Sequence, residues 1–483
     1  MIKNFKLLLL VSISFVACNT EEQDISGIVP QAPVTAGSAN FSKYVALGNS
    51  LTAGFSDNAL FVKSQENAYP KLMAEQFALA GGGTFRVPYM NGNNGGLLFG
   101  GTPITGVRLI FNGVGPVPLP GATPSTEVTT ILAAPFNNLG VPGAKSFHLL
   151  APGYGNAAGV FAGTANPYYV RFSPSPTTSV IAAAMSQNPT FFSLWIGAND
   201  VLGYALTGGD GSNPITPNAG AVGGGFDATY AALTTLLTAQ GAKGVVANIP
   251  YVSTIPFFTT VAHNPVTLVA AQVTALNNGY APYNGGLVVA RNLGLITEAE
   301  RLQRTITFAV GINALVIVDE YLTDITAISP GLIKMRQTKK EDLLVLSSQG
   351  TSIQAHLGAG NGTAAPLADR WVLSKNEVAE LKTATDAINA TILSNATAKG
   401  LAFVDANEVM RQLASGGIRV SNFHMTSAFV TGGAFSLDGV HLTARANAYI
   451  ANKFIEAINT TYGSTLPLKD VTKYQIHYPP VLN

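Results

Sequence analysis

Three residues far apart in the chain carry the side chains that nucleophilic chemistry at a carbonyl needs: Ser50, Asp438 and His441. A serine hydroxyl is a weak nucleophile until a base takes its proton, and the base must be held in one orientation. His441 can be that base. Asp438 stands three residues earlier in Asp438-Gly439-Val440-His441, so it can turn back and fix the imidazole tautomer. The negative charge that develops on the attacked oxygen needs preorganised donors. The backbone N–H groups of Ser50 and Gly143 and the side-chain amide of Asn199 would supply three. Each residue alone has a plainer reading: Ser50 as a turn or cap serine, Gly143 as a turn glycine, Asn199 and Asp438 as caps. Only together do they describe a site.

Such groups need a scaffold that brings them to one edge. Ser50 follows the short apolar run Tyr44–Leu47, and Asn199 follows the apolar run Thr190–Ile196. Asn138 to Gly143 is a short strand running into a glycine turn. Further strands are expected at 244–250 and 402–405. Helices are expected at 70–80, 179–187, 226–240, 376–398 and 443–460, from apolar residues near helical spacing. Near-continuous apolar strands alternating with helices predict a parallel sheet covered on both faces. Residues 107–114 read as a hairpin arm. From about 266 to 375 the alternation lapses, with a helix near 298–308 and a strand at 315–318, which reads as an insertion or cap. His424 reads as a loop histidine, and Asp405, at a strand end, as a second candidate acid.

Composition narrows the function. Hydrophobic residues make up 47% of the 483, enough for a sizeable core, while charged residues make up only 11% and the net charge is +1. Binding to nucleic acid through phosphate contacts is therefore not expected. The single cysteine, Cys18, excludes an intrachain disulfide, and the six histidines are scattered, with no paired zinc-binding motif. No metal or organic cofactor is implied. A basic start and an apolar run from Leu7 to Ala17 read as a signal peptide, residues 1–17, too short to span a bilayer. Residues 18–40 read as a flexible tether with an acidic cluster, Glu21-Glu22-Gln23-Asp24. Residues 41–483 form the main domain.

Three resemblances follow from these motifs. Phe15-Val16-Ala17-Cys18 resembles a bacterial lipobox, which implies cleavage before Cys18 and lipidation of its thiol. The acidic cluster behind it looks like the surface-export signal of Bacteroidetes lipoproteins, implying a lipid anchor in the outer membrane, facing outward. The blocks Gly48-Asn49-Ser50-Leu51, Asn138 to Gly143, Gly197-Ala198-Asn199-Asp200 and Asp438-Gly439-Val440-His441, in that order, resemble the SGNH/GDSL hydrolases. That resemblance implies a three-layer α/β/α sandwich with a five-stranded, flavodoxin-like parallel sheet. It implies Ser50 as nucleophile, His441 as base and Asp438 as orienting acid, with an oxyanion hole from Ser50, Gly143 and Asn199. The implied activity is carboxylester hydrolysis through an acyl-serine, on an acyl lipid or simple ester, with the 266–375 insertion covering the acyl chain. A carbohydrate O-acyl esterase and a catalytically silent surface-binding lipoprotein are the alternatives. One residue departs from the pattern: Asn49 stands where the family usually has aspartate. Asparagine keeps the shape and loses a charge, so activity is expected to persist with an altered pH profile. The segment also lacks the Gly-x-Ser-x-Gly elbow of α/β-hydrolases.

Overall fold

Side chains of Tyr44–Gly48 (β1) alternate between two buried faces. Tyr44 and Ala46 join one apolar cluster, and Val45 and Leu47 join the other. A strand buried on both sides belongs in the middle of a layered α/β unit. In the computed structural model, which describes residues 33–133, 135–348 and 351–482, four more strands join it: Asn138–Gly140 (β2), Phe191–Trp195 (β3), Lys243–Ala247 (β4) and Ala402–Val404 (β5). Every pairing in this five-stranded sheet is parallel, and the spatial order is 2-1-3-4-5. That is the flavodoxin-like order expected from sequence. It leaves a crevice beyond the carboxyl ends of β1 and β3, where the winding reverses.

The first helical turn after β1 is Ser50–Ala53 (α1), followed by Tyr69–Ala78 (α2), Val180–Met185 (α3), Ala198–Leu206 (α4) and Phe226–Thr238 (α5). Beyond β4 come Ala270–Asn292 (α6), Glu298–Arg304 (α7) and Lys375–Lys399 (α8). After β5 come Ala406–Ser415 (α9) and Ala444–Tyr462 (α10). Helices α3, α5 and α8 cover the Val45 face, and α2 and α10 cover the Tyr44 face. Among the described residues, no helix is long and apolar enough to cross a membrane.

The ends of the elements follow local chemistry. Ser179, Ser374 and Thr443 cap α3, α8 and α10 by accepting backbone N–H groups. Gly400 and Gly463, both left-handed, close α8 and α10. Residues 109–111 and 116–118 form the small hairpin expected near 107–114.

Two expectations need correction. The tether was expected to run to residue 40, yet the unit begins at Val34. Thr35 N–H donates to Thr465 Oγ1 at 2.8 Å, and the Tyr462 carbonyl at the end of α10 accepts the Ser38 N–H at 2.8 Å and the Ser38 hydroxyl at 3.2 Å. Phe41 then stacks on Phe77 at 4.2 Å. The second correction is α6, a 23-residue helix where none was expected because Gly279, Pro282, Gly285 and Gly286 interrupt the pattern. Tyr280, Tyr283, Leu287 and Ala290 make one buried stripe, and Gly286 lets Leu332 approach where a Cβ would lie 2.5 Å away. Tertiary packing there outweighs propensity. Thus 266–375 carries apolar clusters of its own, around Tyr283 and around Trp371, within the same unit as the sheet. The signal peptide, Cys18 and the acidic cluster lie outside the described residues.

Candidate active site

Two glycines allow α1 to lie across the ends of β1 and β2. A Cβ on Gly48 would sit 2.5 Å from the Trp195 carbonyl oxygen, and one on Gly140 would sit 2.3 Å from the Ala53 nitrogen. Asn138 Nδ2 donates to the Thr52 carbonyl at 2.9 Å and ties the second motif to the first. Asn49 explains its own place. Its Oδ1 accepts the Leu51 N–H at 3.0 Å and caps the turn that presents Ser50. That task needs a side-chain oxygen, which asparagine supplies as well as aspartate does.

Ser50 is 9% exposed, and its Oγ lies 2.9 Å from His441 Nε2. On the far side of the ring, His441 Nδ1 lies 2.9 Å from Asp438 Oδ2. With Asp438 ionised, Nδ1 donates and Nε2 is left to accept the serine proton. The Phe55 ring packs against the imidazole at 4.6 Å between centroids. Thus the fold joins Ser50 to Asp438 and His441 across 391 positions.

Asp438 is buried, which alone would push its carboxyl up. The charge and hydrogen bond of His441 and the backbone N–H groups of His441 and Val440 outweigh burial and hold it well below the usual carboxylate range. Its Oδ1 accepts both N–H groups at 2.8 Å and the Ser436 hydroxyl at 3.1 Å, and its Oδ2 also accepts the Asn58 N–H at 2.9 Å.

Sequence reasoning missed what holds this acid. Asp57 and Asn58 both take left-handed backbone angles, φ 51° and 62°, a conformation that costs non-glycine residues energy. The turn reaches across to the 436–438 segment. Asp57 Oδ1 accepts the Leu437 N–H at 2.9 Å, and its own N–H donates to Ser436 Oγ at 3.0 Å. Burial is the main cause that pushes the Asp57 carboxyl up to about 7; the Leu437 N–H opposes it and the charge of Asp438 adds to it. Asp57 Oδ2 is buried without a hydrogen-bond partner. Asp57-Asn58 can be read in sequence as a turn. Nothing there shows that it grips a segment some 380 positions away.

The other two expected donors stand at the same sheet edge. Val141 N–H donates to the Gly48 carbonyl at 3.0 Å, so the Gly143 turn (φ +80°) leaves β2 beside the start of α1. Gly48 is opposite Trp195 in the register, and Asn199 lies in the first turn of α4 just beyond. Asn199 Nδ2 donates to the Ala144 carbonyl at 2.9 Å. That bond uses one of the two amide N–H groups. The buried Asp200 beside it accepts the Ser146 N–H at 2.9 Å and its hydroxyl at 2.7 Å. Asn199 and Asp200 together hold the loop that carries Gly143.

Two other candidates have their hydrogen bonds elsewhere. Asp405 caps α9 through the Glu408 N–H and accepts Asn248 Nδ2 at 2.8 Å. His424 lies on the short strand Phe423–Met425, not in a loop, against the Gly416 carbonyl at 2.8 Å. An apolar cavity of about 80 Å³ takes lining from Leu51 beside Ser50, from Val440 and Leu442 beside His441, and from Trp195 and Met410; none comes from 266–375. The insertion expected to cover an acyl chain therefore does not line it. The one group of residues able to hold a metal among those described is Glu320, Asp369 and Glu377, none of which belongs to this constellation.

No family model and no curated protein matches the chain. Among solved structures, an extracellular lipase from Streptomyces rimosus aligns over 86% of this chain and 98% of that one, at 14% identity and a TM-score of 0.27. So loose a superposition does not bear on this chain's chemistry, which is read from its own site.

Proposed function

We propose that this protein is a serine carboxylester hydrolase of the SGNH/GDSL type. The observation that carries the reading is the continuous chain Ser50 Oγ–His441 Nε2 and His441 Nδ1–Asp438 Oδ2, each link 2.9 Å. Ser50 attacks the ester carbonyl as His441 takes its proton. The oxyanion is received by the N–H groups of Ser50 and Gly143 and the Asn199 amide. His441 then returns the proton to the leaving alcohol, and the acyl group remains on Ser50. Water, deprotonated by the same imidazole, releases the carboxylic acid. Asp438, ionised through the neutral range, holds the ring and stabilises its charged form.

An acyl lipid or simple acyl ester is proposed as substrate ahead of an acetylated glycan; the apolar cavity lined by Leu51, Val440 and Leu442 is bounded by the chain neighbours of Ser50 and His441, not by those residues themselves. We also propose that Cys18 is lipidated and anchors the enzyme to the outer membrane. The lipidation rests on Phe15-Val16-Ala17-Cys18 and the outer-membrane placement on the acidic cluster Glu21-Glu22-Gln23-Asp24; labelling with an alkyne fatty acid that persists in Cys18→Ala would overturn the lipidation. The activity is tested with p-nitrophenyl esters of increasing chain length beside an acetylated glycan. The expected result is hydrolysis of the acyl esters, lost in Ser50→Ala. Turnover of the glycan alone would move the assignment to a carbohydrate esterase.

A further inference from the structure

Glu320, Asp369 and Glu377 each offer one carboxylate oxygen, and the three oxygens lie within 4.8 Å of one another. They come from separate places: the loop after the short strand Val316–Val318, the turn Asp369–Trp371, and the first turn of α8. Glu377 is fully buried. Its Oε2 accepts the Ser374 N–H that begins α8, while its Oε1 is buried and meets no hydrogen-bond donor. The backbone closes tightly around this carboxylate. A Cβ on Gly209 would lie 2.7 Å from Oε1, and one on Gly208 would lie 2.5 Å from the Asp369 carbonyl oxygen.

Nearby carboxylates are compensated. Asp319 pairs with Arg336 at 2.5 Å, and Glu380 accepts the hydroxyls of Tyr204 and Tyr321. Around Glu377 the charged neighbours are instead Glu320 and Asp369. Burial first, and then the hydrogen bonding and charge of Glu320, push the carboxyls of Asp369 and Glu377 up. A chain with only 11% charged residues has gathered three carboxylates here.

We propose that Glu320, Asp369 and Glu377 bind calcium, a hard divalent cation that takes carboxylate oxygens in flexible geometry, which fastens the 266–375 insertion to α8. Calcium takes oxygen ligands at about 2.3–2.6 Å, so oxygens up to about 5 Å apart can share one ion. Magnesium, at about 2.0–2.1 Å, demands near-ideal octahedral geometry and gives up its waters reluctantly. The ion would supply the partner that Glu377 Oε1 lacks. Gly208 and Gly209 follow α4, so the same ion would also brace the end of the helix that carries Asn199 in its first turn.

The test is calcium titration by calorimetry on chelator-treated full-length protein, with thermal unfolding beside it. The expected result is one ion per chain, a higher Tm with calcium, and at least tenfold weaker binding in Glu320→Gln and Asp369→Asn. Glu320 is exposed, so its variant keeps the test independent of folding. Absence of binding up to about 10 mM calcium, ten times the weakest extracellular sites (~1 mM), would overturn the proposal. So would unchanged affinity in Glu320→Gln, or magnesium bound as tightly as calcium. A cation-free Tm raised by Glu320→Gln, with no calcium response in the wild type, would mean that the carboxyls share a proton instead.

Discussion

Asp438 and Glu377 are both buried carboxylates that hydrogen-bond to the first residues of a nearby segment, yet they sit in opposite surroundings. Asp438 receives three backbone N–H groups, the Ser436 hydroxyl and His441, and is held ionised. Glu377 receives the Ser374 N–H on one oxygen, nothing on the other, and has carboxylates for neighbours. Burial is the leading influence on both, and the number of donors decides its outcome. Asp438 is therefore equipped to stabilise a positive imidazole in place, whereas Glu377 lacks a positive partner.

That contrast can be broken by substitution. The largest effect is expected at Ser50: Ser50→Ala should lower kcat by about 10⁵–10⁶, measured on a p-nitrophenyl ester with the fold checked by circular dichroism. Asp438→Asn should lower kcat by about 10⁴, because the amide favours the wrong imidazole tautomer. Glu320→Gln, across the molecule's other carboxylate cluster, should leave kcat within about twofold. Equal losses in these two variants would erase the distinction between the regions. Asn199→Ala should cost about 10²–10³ in kcat with little change in KM, as one oxyanion donor is lost.

A smaller effect, with a definite sign, is expected from Asp57. Its carboxyl is raised to about 7 in the folded protein, against about 3.9 when unfolded. Between those values the folded state binds the extra proton, so stability contributed by this group falls as pH rises from about 4 to 7. Urea unfolding of Asp57→Asn should show a flatter pH dependence over that window. Asp438 behaves in the opposite sense: its depressed pKa gives stability that is present above about 4 and lost as pH falls below it. An unchanged slope in Asp57→Asn would mean that Asp57 is already solvated or paired.

How much of this was legible in the sequence differs between the same two regions. The motifs at the sheet's edge were readable because each is local: an apolar run, a glycine where backbone must approach backbone, then a small polar residue; the sheet order was implied by the family resemblance that those motifs carry. Gly48 and Gly140 leave that trace because a Cβ at either would collide with neighbouring backbone. Helix α6 was hidden because glycines and Pro282 mask a stripe that only its partners, such as Leu332, make worth burying. The grip of Asp57 on 436–438 and the meeting of Glu320, Asp369 and Glu377 leave no local pattern, since their chemistry exists only after long-range closure.

The central claim is that Ser50 is a nucleophile activated by His441. Labelling with a fluorophosphonate followed by mass spectrometry tests it most directly, because only an activated serine reacts quickly with such a probe. One adduct, on the peptide containing Ser50, is predicted, absent in Ser50→Ala and strongly slowed in His441→Ala. A folded wild-type protein that stays unlabelled, or carries the adduct on another serine, would contradict it.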